Sequence, residues 1–330
     1  MKKILLDKRG FILLIIVLVL PPILFGCTKM QGRKDNQERI QIAIQFGLAY
    51  APLEIMKQQK ILEKNLPGVE IEWKQLGNTA AIREAMLSGD LDAGFMAIPP
   101  FLIGWDKGME WKICCGLSKS PVSLVTWKEN IKSIRDFTKE DRIAMPQPGS
   151  VQDILLAMAC GKGFDNPRKF EGQIITLSHP DGMNALLTRG DVTAHFTAPP
   201  YLSMELEEPG VHEILKGNDV MEGDFTFIVG VTTDKFYDNS PELYEGFIAS
   251  IKESADFIND NPEEAAHILS QVYDMPEEDI LEYLHMEGVE YGLNVEGTKK
   301  FAGFMKKNGY ISRDITNERD IFQEDVEHEN

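Results

Sequence analysis

The residues best placed for chemistry sit in short turns that precede helices. Gly77-Asn78-Thr79 and Gly149-Ser150-Val151-Gln152 each set a glycine beside a side-chain oxygen at an expected helix start. A helix start exposes unpaired backbone N–H groups and the positive end of the helix dipole. It can therefore hold an acceptor-rich group without a full cation. Asn78, Thr79 and Ser150 are also ordinary capping residues. Their recurrence at matched places in two halves of the chain favours a shared contact with a small molecule. Phe46, Tyr50, Trp105, Phe196, Tyr201 and Phe225 lie near comparable turns and offer an apolar or stacking surface. Among these, Tyr50 in a turn and Phe225 in a connecting segment are the strongest candidates. His195 falls within an expected strand and reads as a satisfied core histidine.

Motifs for covalent or cofactor chemistry are missing. The chain holds no G-x-S-x-G, no G-x-x-x-x-G-K-[ST] and no H-E-x-x-H. Its six histidines (179, 195, 212, 267, 285 and 328) are scattered, so no metal and no cofactor are expected, and the chain is not read as an enzyme. The formal charge is −18, from 34 basic and 52 acidic residues. Such a balance excludes a nucleic-acid partner, which needs a basic face. Cys114 and Cys115 are adjacent in an apolar strand-like run and are expected to point to opposite faces. With Cys160 they read as buried small hydrophobes rather than a redox pair.

The elements that position the turns come as one unit written twice. Residues 85–102 (Ala-Met-Leu-Ser-Gly-Asp-Leu-Asp-Ala-Gly-Phe-Met-Ala-Ile-Pro-Pro-Phe-Leu) echo residues 185–202, where Gly190-Asp191 and Pro199-Pro200 recur. Each copy ends a helix at Gly-Asp, runs through a short apolar strand and stops it at Pro-Pro. Upstream, Ile42-Ala43-Ile44 is matched by Ile143-Ala144-Met145 about a hundred residues later. Each copy thus alternates strand and helix, which predicts two α/β lobes, each with a mostly parallel sheet flanked by helices. Strand-like segments at 116–126 and 223–233 are expected to cross between the lobes and form the hinge. Lobe one is expected over 40–122 plus 226–313 and lobe two over 123–225. The stretch after Pro241 is patterned for helices, and the acidic tail at 314–330 is expected to be partly ordered at best. Ligand sites in such sheets lie at the strand-to-helix turns, so two facing lobes place two sets of turns around one cleft.

The N-terminus carries Lys2, Lys3, Lys8 and Arg9, then an apolar run from Phe11 to Leu20. That is the layout of a signal peptide, expected over 1–26, and the run is too short to span a membrane. Leu24-Phe25-Gly26-Cys27 resembles a bacterial lipobox, which implies acylation of Cys27, with 27–39 as a flexible polar tether. Without the first 26 residues the balance is 30 basic to 51 acidic, or −21, when only the terminal basic cluster and Asp7 are removed. So acidic a chain would lean on the acyl chain, not on anionic lipid, to stay at the membrane.

Taken in order, these segments resemble the periplasmic-type substrate-binding proteins of ABC transporters for nitrate, taurine, aliphatic sulfonates and the thiamin pyrimidine precursor. The resemblance covers most of the chain after the tether. It is carried by the turn before Pro52-Leu53, the helix start at Gly77, and Leu87-Ser88-Gly89-Asp90-Leu91-Asp92-Ala93-Gly94 ahead of Pro99-Pro100. Ser133-Ile134-Arg135-Asp136-Phe137 before Arg142-Ile143-Ala144, then Pro148-Gly149-Ser150, and finally the run 304–311 continue it. It implies an extracytoplasmic, lipid-anchored monomer that closes on a small ligand and delivers it to a permease driven by a cytoplasmic ATPase. By position it implies ligand contacts at Tyr50, Asn78, Thr79, Ala97, Ser123, Gly149, Ser150, Thr197 and Phe225. The chain departs from a salt-bridged anion site in having no Arg or Lys in those turns. A sulfonate held by helix starts and a neutral heterocycle held by aromatics both fit. Two other readings share the two-lobed shape: a ligand sensor, which needs a DNA-binding segment, and a pyrimidine-precursor enzyme, which needs a cofactor lysine.

Overall fold

The computed structural model describes residues 38–328. The expected signal peptide, Cys27 and nearly all of the tether lie outside the described residues. The first strand, β1, already includes Arg39, one residue inside the expected tether.

From β1 (Arg39–Ile44) the chain adds β2 (Glu70–Gln75), β3 (Ala93–Ala97) and β4 (Trp111–Lys119) to a first sheet. It then crosses and builds a second sheet from β5 (Ser123–Thr126), β6 (Ile143–Met145), β7 (Ile174–Thr176), β8 (Ala194–Thr197) and β9 (His212–Lys216). It returns as β10 (Ile228–Thr233) and closes the first sheet with β11 (Glu290–Tyr291). The sheet orders are β11-β4-β10-β3-β1-β2 and β7-β6-β8-β5-β9. In the first sheet β1 runs parallel to β2 and β3, and in the second β6 runs parallel to β7 and β8. The exceptions are the short β11, antiparallel to β4, and the strands next to the crossovers. β10 lies antiparallel between β3 and β4, and β5 antiparallel between β8 and β9. A strand that arrives from the opposite lobe enters its sheet from the other end, so its direction is reversed.

Local sequence explains the helices around these sheets. The helix Thr79–Ser88 starts where the Asn78 side chain accepts the Ala81 N–H at 3.0 Å and stops at Gly89, whose φ of 79° suits glycine. Its Ile82 and Met86, four apart, are buried. The helix Val151–Phe164 starts at Ser150, and His179–Leu187 at Ser178, each with its hydroxyl accepting an N–H three residues on. The C-terminal third is helical as the pattern predicts. Leu243, Phe247, Ile251, Ala255 and Ile258 are the buried stripe of the helix Pro241–Asp260. Phe247 packs edge-on against Phe95 of β3, so its truncation to alanine would cost about 3–5 kcal/mol.

Two expectations change. The acidic tail is not loose in its middle part. Ile321 and Phe322 are buried, Ile113 N–H donates to Ile321 O at 2.8 Å, and Gln323 N–H donates to Ile113 O at 2.9 Å. The tail thereby satisfies the edge of β4 that two-residue β11 leaves uncovered. The two adjacent cysteines do not point apart. A register shift opposite Gly230 puts both sulfurs near that glycine, 3.9 Å from each other. All three described cysteines are buried free thiols. Among the described residues no helix is long and apolar enough to cross a membrane.

Candidate functional site

The strand-to-helix turns of both sheets meet in one cleft. Its lining includes Gln45, Phe46 and Tyr50 from the turn after β1, Thr79 after β2, and Ala97 and Pro100 after β3. The second sheet contributes Gln147, Ser150 and Gln152 after β6, Ser178 and His179 after β7, and Ala198, Pro199 and Tyr201 after β8. Phe227 and Ile228 line it from the returning crossover. The remaining space is narrow, about 60 Å³. The lobes touch at its rim, where Leu48 N–H donates to Pro199 O at 3.4 Å. Gly47 makes that approach: its φ is 119°, and a Cβ there would lie only 3.4 Å from Pro199 O. Two tyrosines from the C-terminal region pin the same turn: the Tyr273 hydroxyl donates to Gly47 O at 2.9 Å and the Tyr291 hydroxyl to Leu48 O at 2.7 Å.

Among the described residues, no lining side chain is Lys, Arg, Asp or Glu. Burial pushes the His179 imidazole down to about 3, with the neighbouring His195 as the lesser cause, so at neutral pH it carries no charge. Burial alone raises the Tyr50 phenol, which faces the cleft as a neutral hydroxyl. What the cleft offers is therefore dipoles: the hydroxyls of Tyr50, Thr79 and Ser150, three glutamines, one neutral imidazole and the helix starts at 79, 151 and 179.

Four of the expected contacts reach this cleft, namely Tyr50, Thr79, Ala97 and Ser150. Asn78 spends its side chain on the Ala81 N–H and stays outside the lining. Ser123 and Thr197 are buried partners across β5 and β8. Thr197 lies just behind His179, its hydroxyl 3.5 Å from Nδ1. Gly149 has a φ of 80°, donates its N–H to Asp153 Oδ2 at 2.7 Å, and borders a neighbouring hollow with Ile103 and Tyr310. Phe225 packs edge-on against Phe301, away from the cleft. Phe227, two residues further along the same crossover, takes the place expected for it. Trp105 and Phe196 are core, and Trp105 carries the Arg313 guanidinium on its ring at 4.0 Å.

Sequence reasoning marked the turns that hold Gln152 and His179 without singling out either side chain, and Gln45 lies just ahead of a marked turn. The signal for His179 was present in the internal repeat. It is the first residue of its helix, as Thr79 is of the matching helix a hundred residues earlier. A second, larger hollow of about 1510 Å³ lies under the C-terminal segment, lined only from residues 221–224 and 295–328. None of the repeated turns reaches it.

His195 is the core histidine expected, with a partner the sequence did not reveal. Its Nδ1 lies 2.6 Å from Glu205 Oε1, both side chains wholly buried. Its Nε2 lies 3.4 Å from His179 Nδ1, and His179 Nε2 lies 3.3 Å from Gln152 Nε2. The Tyr201 ring stacks on His179 at 5.9 Å.

Comparison with known proteins agrees with this architecture. No curated protein matches the sequence. Among solved structures, the alkanesulfonate-binding protein SsuA of Xanthomonas axonopodis pv. citri, bound to MOPS, superposes with a TM-score of 0.69 at 16% identity, covering 86% of this chain and 94% of that one. The periplasmic aliphatic sulphonate binding protein SsuA of Escherichia coli does so with 0.69 at 21% identity, covering 89% and 94%. The periplasmic nitrate-binding protein NrtA of Synechocystis PCC 6803 gives 0.62 at 17% identity, covering 75% and 70%. These likenesses establish a shared two-lobed fold. The model of the NMT1-like family matches residues 33–272, most of the chain, and the protein belongs to the NMT1-like family.

Proposed function

We propose that this protein is the extracytoplasmic substrate-binding component of an ABC importer. It captures a small sulfonate-, nitrate- or pyrimidine-like molecule between its lobes and passes it to the permease. The observation that carries the reading is the cleft itself: two repeated sheets, joined by two crossovers, aim the same set of turns at one uncharged, dipole-rich space. Tyr50, Thr79, Ala97 and Ser150 contact the ligand from both sides. A space of about 60 Å³ is far below the several hundred Å³ of a typical ligand pocket. The lobes therefore part to admit the ligand and close over it, as hinged binding proteins do. Cys27, acylated after removal of residues 1–26, holds the protein at the membrane surface by the same reading.

Thermal unfolding with taurine, alkylsulfonates, nitrate and aminopyrimidines tests the ligand class. A true ligand at a hundred times its dissociation constant adds about 2.7 kcal/mol of stability. If nothing in that panel raises the melting temperature, the ligand class is wrong. Anchoring has its own test: Cys27→Ser should release the protein from membranes, and a variant that stays bound refutes the lipid.

A further inference from the structure

The two lobes differ at one packing contact that the repeat makes directly comparable. In the first sheet Ala43 pairs with Gly94, and in the second Ala144 pairs with His195, so Gly94 and His195 hold the same place. The helices above them start alike, capped by Asn78 and Ser178. Four residues past the caps stand Ile82 and Gly182. A Cβ on Gly94 would meet Ile82 Cγ2 at 2.6 Å, and a Cβ on Gly182 would meet His195 Nε2 at 2.5 Å. Volume has moved from helix to strand. Lobe two fills the space with an imidazole that needs a buried polar partner, where lobe one manages with an isoleucine. An apolar side chain would pack there without that demand, so the weight of the histidine lies in what it touches.

It touches a chain of four groups that runs from the core to the cleft: Glu205, His195, His179 and Gln152, at 2.6, 3.4 and 3.3 Å in turn. Resting on the reading of the cleft as the ligand site, we propose that this buried chain fixes the hydrogen-bond polarity of the lobe-two wall, so that Gln152 meets the ligand with its amide N–H donors. The wall then selects an acceptor oxygen or an unprotonated ring nitrogen at that point.

The polarity follows from counting protons. Glu205 Oε2 is buried and has no hydrogen-bond partner among the described residues. An ionised carboxylate would leave that oxygen charged and unpaired in the core, whereas a neutral acid tolerates it. Burial also pushes the Glu205 carboxyl up to about 9 and the His195 imidazole down to about 3, with no charged neighbour as a cause of either shift. The groups packed on the chain from other elements, Tyr201 by stacking and Thr197 by its hydroxyl, are neutral. The acid O–H therefore donates to His195 Nδ1, which places the His195 proton on Nε2. That N–H donates to His179 Nδ1, which places the His179 proton on Nε2. The structure places Gln152 Nε2 toward His179 Nε2, and with the His179 proton on Nε2 two donors would face each other there. The amide must therefore turn over, its oxygen inward to accept from His179 and its NH₂ toward the cleft. If Glu205 were ionised, every donor would reverse, and Gln152 would show the ligand an acceptor.

Nitrogen-15 NMR of the histidine-labelled full chain without ligand reads this directly. The expected result is that His179 and His195 are both neutral with the proton on Nε2 throughout pH 6–8. His179→Gln assigns the pair by deleting one signal and shifting the other. Finding either ring with its proton on Nδ1, or as an imidazolium, overturns the proposal. Glu205→Gln gives a second reading, because its amide N–H can donate to His195 as the acid does. Both tautomers should persist in that variant, and a change in either overturns the assignment of Glu205 as the donor. These measurements need no ligand, so their failure is distinct from a failure of the transport reading.

Discussion

The two walls of the cleft are built from the same unit and finished differently. Lobe one presents Phe46, Tyr50, Thr79 and Ala97 over a core in which Ile82 covers Gly94. Its polar contacts beneath Thr79 are local, with Gln45 Nε2 donating to Thr79 Oγ1 at 3.2 Å and to Phe95 O at 3.1 Å. Lobe two presents Gln147, Ser150, Gln152, His179 and Tyr201, backed by the buried His195–Glu205 pair. A repeat conserves the path of the backbone, because strand register and helix caps set it. What faces the cleft is then free to diverge, so an aromatic wall comes to oppose a hydrogen-bonding one.

Exchanging the packing between the lobes should have the largest effect. Gly182→Ile drives a branched side chain into His195 and should cost about 3 kcal/mol in urea unfolding. Adding His195→Gly, which recreates the lobe-one arrangement, should recover at least half of that loss. No recovery would mean that the two contacts are not equivalent. Next comes the polar wall. Gln152→Glu keeps the shape but leaves only acceptors, and should weaken whichever panel ligand binds by about tenfold, roughly 1.4 kcal/mol. Equal affinity by calorimetry would remove Gln152 from the site.

The buried groups of lobe two also predict a pH dependence of stability with a definite sign. Glu205 titrates near 9 when folded, well above an ordinary carboxyl, so the native state holds a proton that the unfolded chain releases. Its stabilisation is complete at low pH and falls between about pH 4.5 and 9, at about 1.4 kcal/mol per pH unit. His179 and His195 titrate near 3 when folded, below the ordinary value, so their contribution is present above about pH 6.5 and is lost toward acid. Together they place the optimum for these three groups near pH 6.5 and a decline from pH 7 to 9. Glu205→Gln should flatten that alkaline decline, as read from urea midpoints at pH 7 and 9. An unchanged slope would show that Glu205 is already ionised. The smallest effect is expected for Phe225→Leu. Its ring is spent on Phe301, so the variant should lose about 1 kcal/mol of stability and none of its ligand affinity.

Much of the fold was legible because its signals are local. Asn78, Ser150 and Ser178 announce helix starts, Gly89 announces a stop, and the apolar spacing from Leu243 to Ile258 announces a long helix. The hundred-residue echo identified two lobes before any contact was known. The site was legible by halves. Tyr50, Thr79, Ala97 and Ser150 reach the cleft, whereas Phe225, Ser123 and Gly149 turn to other neighbours. A turn signal says that a residue lies near the end of a strand, and it does not say which way the side chain faces. The anchoring of the tail was hidden for a related reason: Ile321 and Phe322 are two apolar residues in an acidic run, and their value depends on a β4 edge some two hundred residues earlier.

The alternation of strands and helices, their duplication and the absence of Arg and Lys from the turns were all readable from the chain alone. These depend on periodicity, caps and composition, which neighbouring residues settle among themselves. Only the tertiary structure decided that His195 meets Glu205 across ten residues, that Gly182 clears room for it, and that His179 carries the contact into the cleft. Those relations require strands to be paired and helices to be laid across them, and burial then gives a carboxyl, two imidazoles and an amide a joint polarity that none has alone.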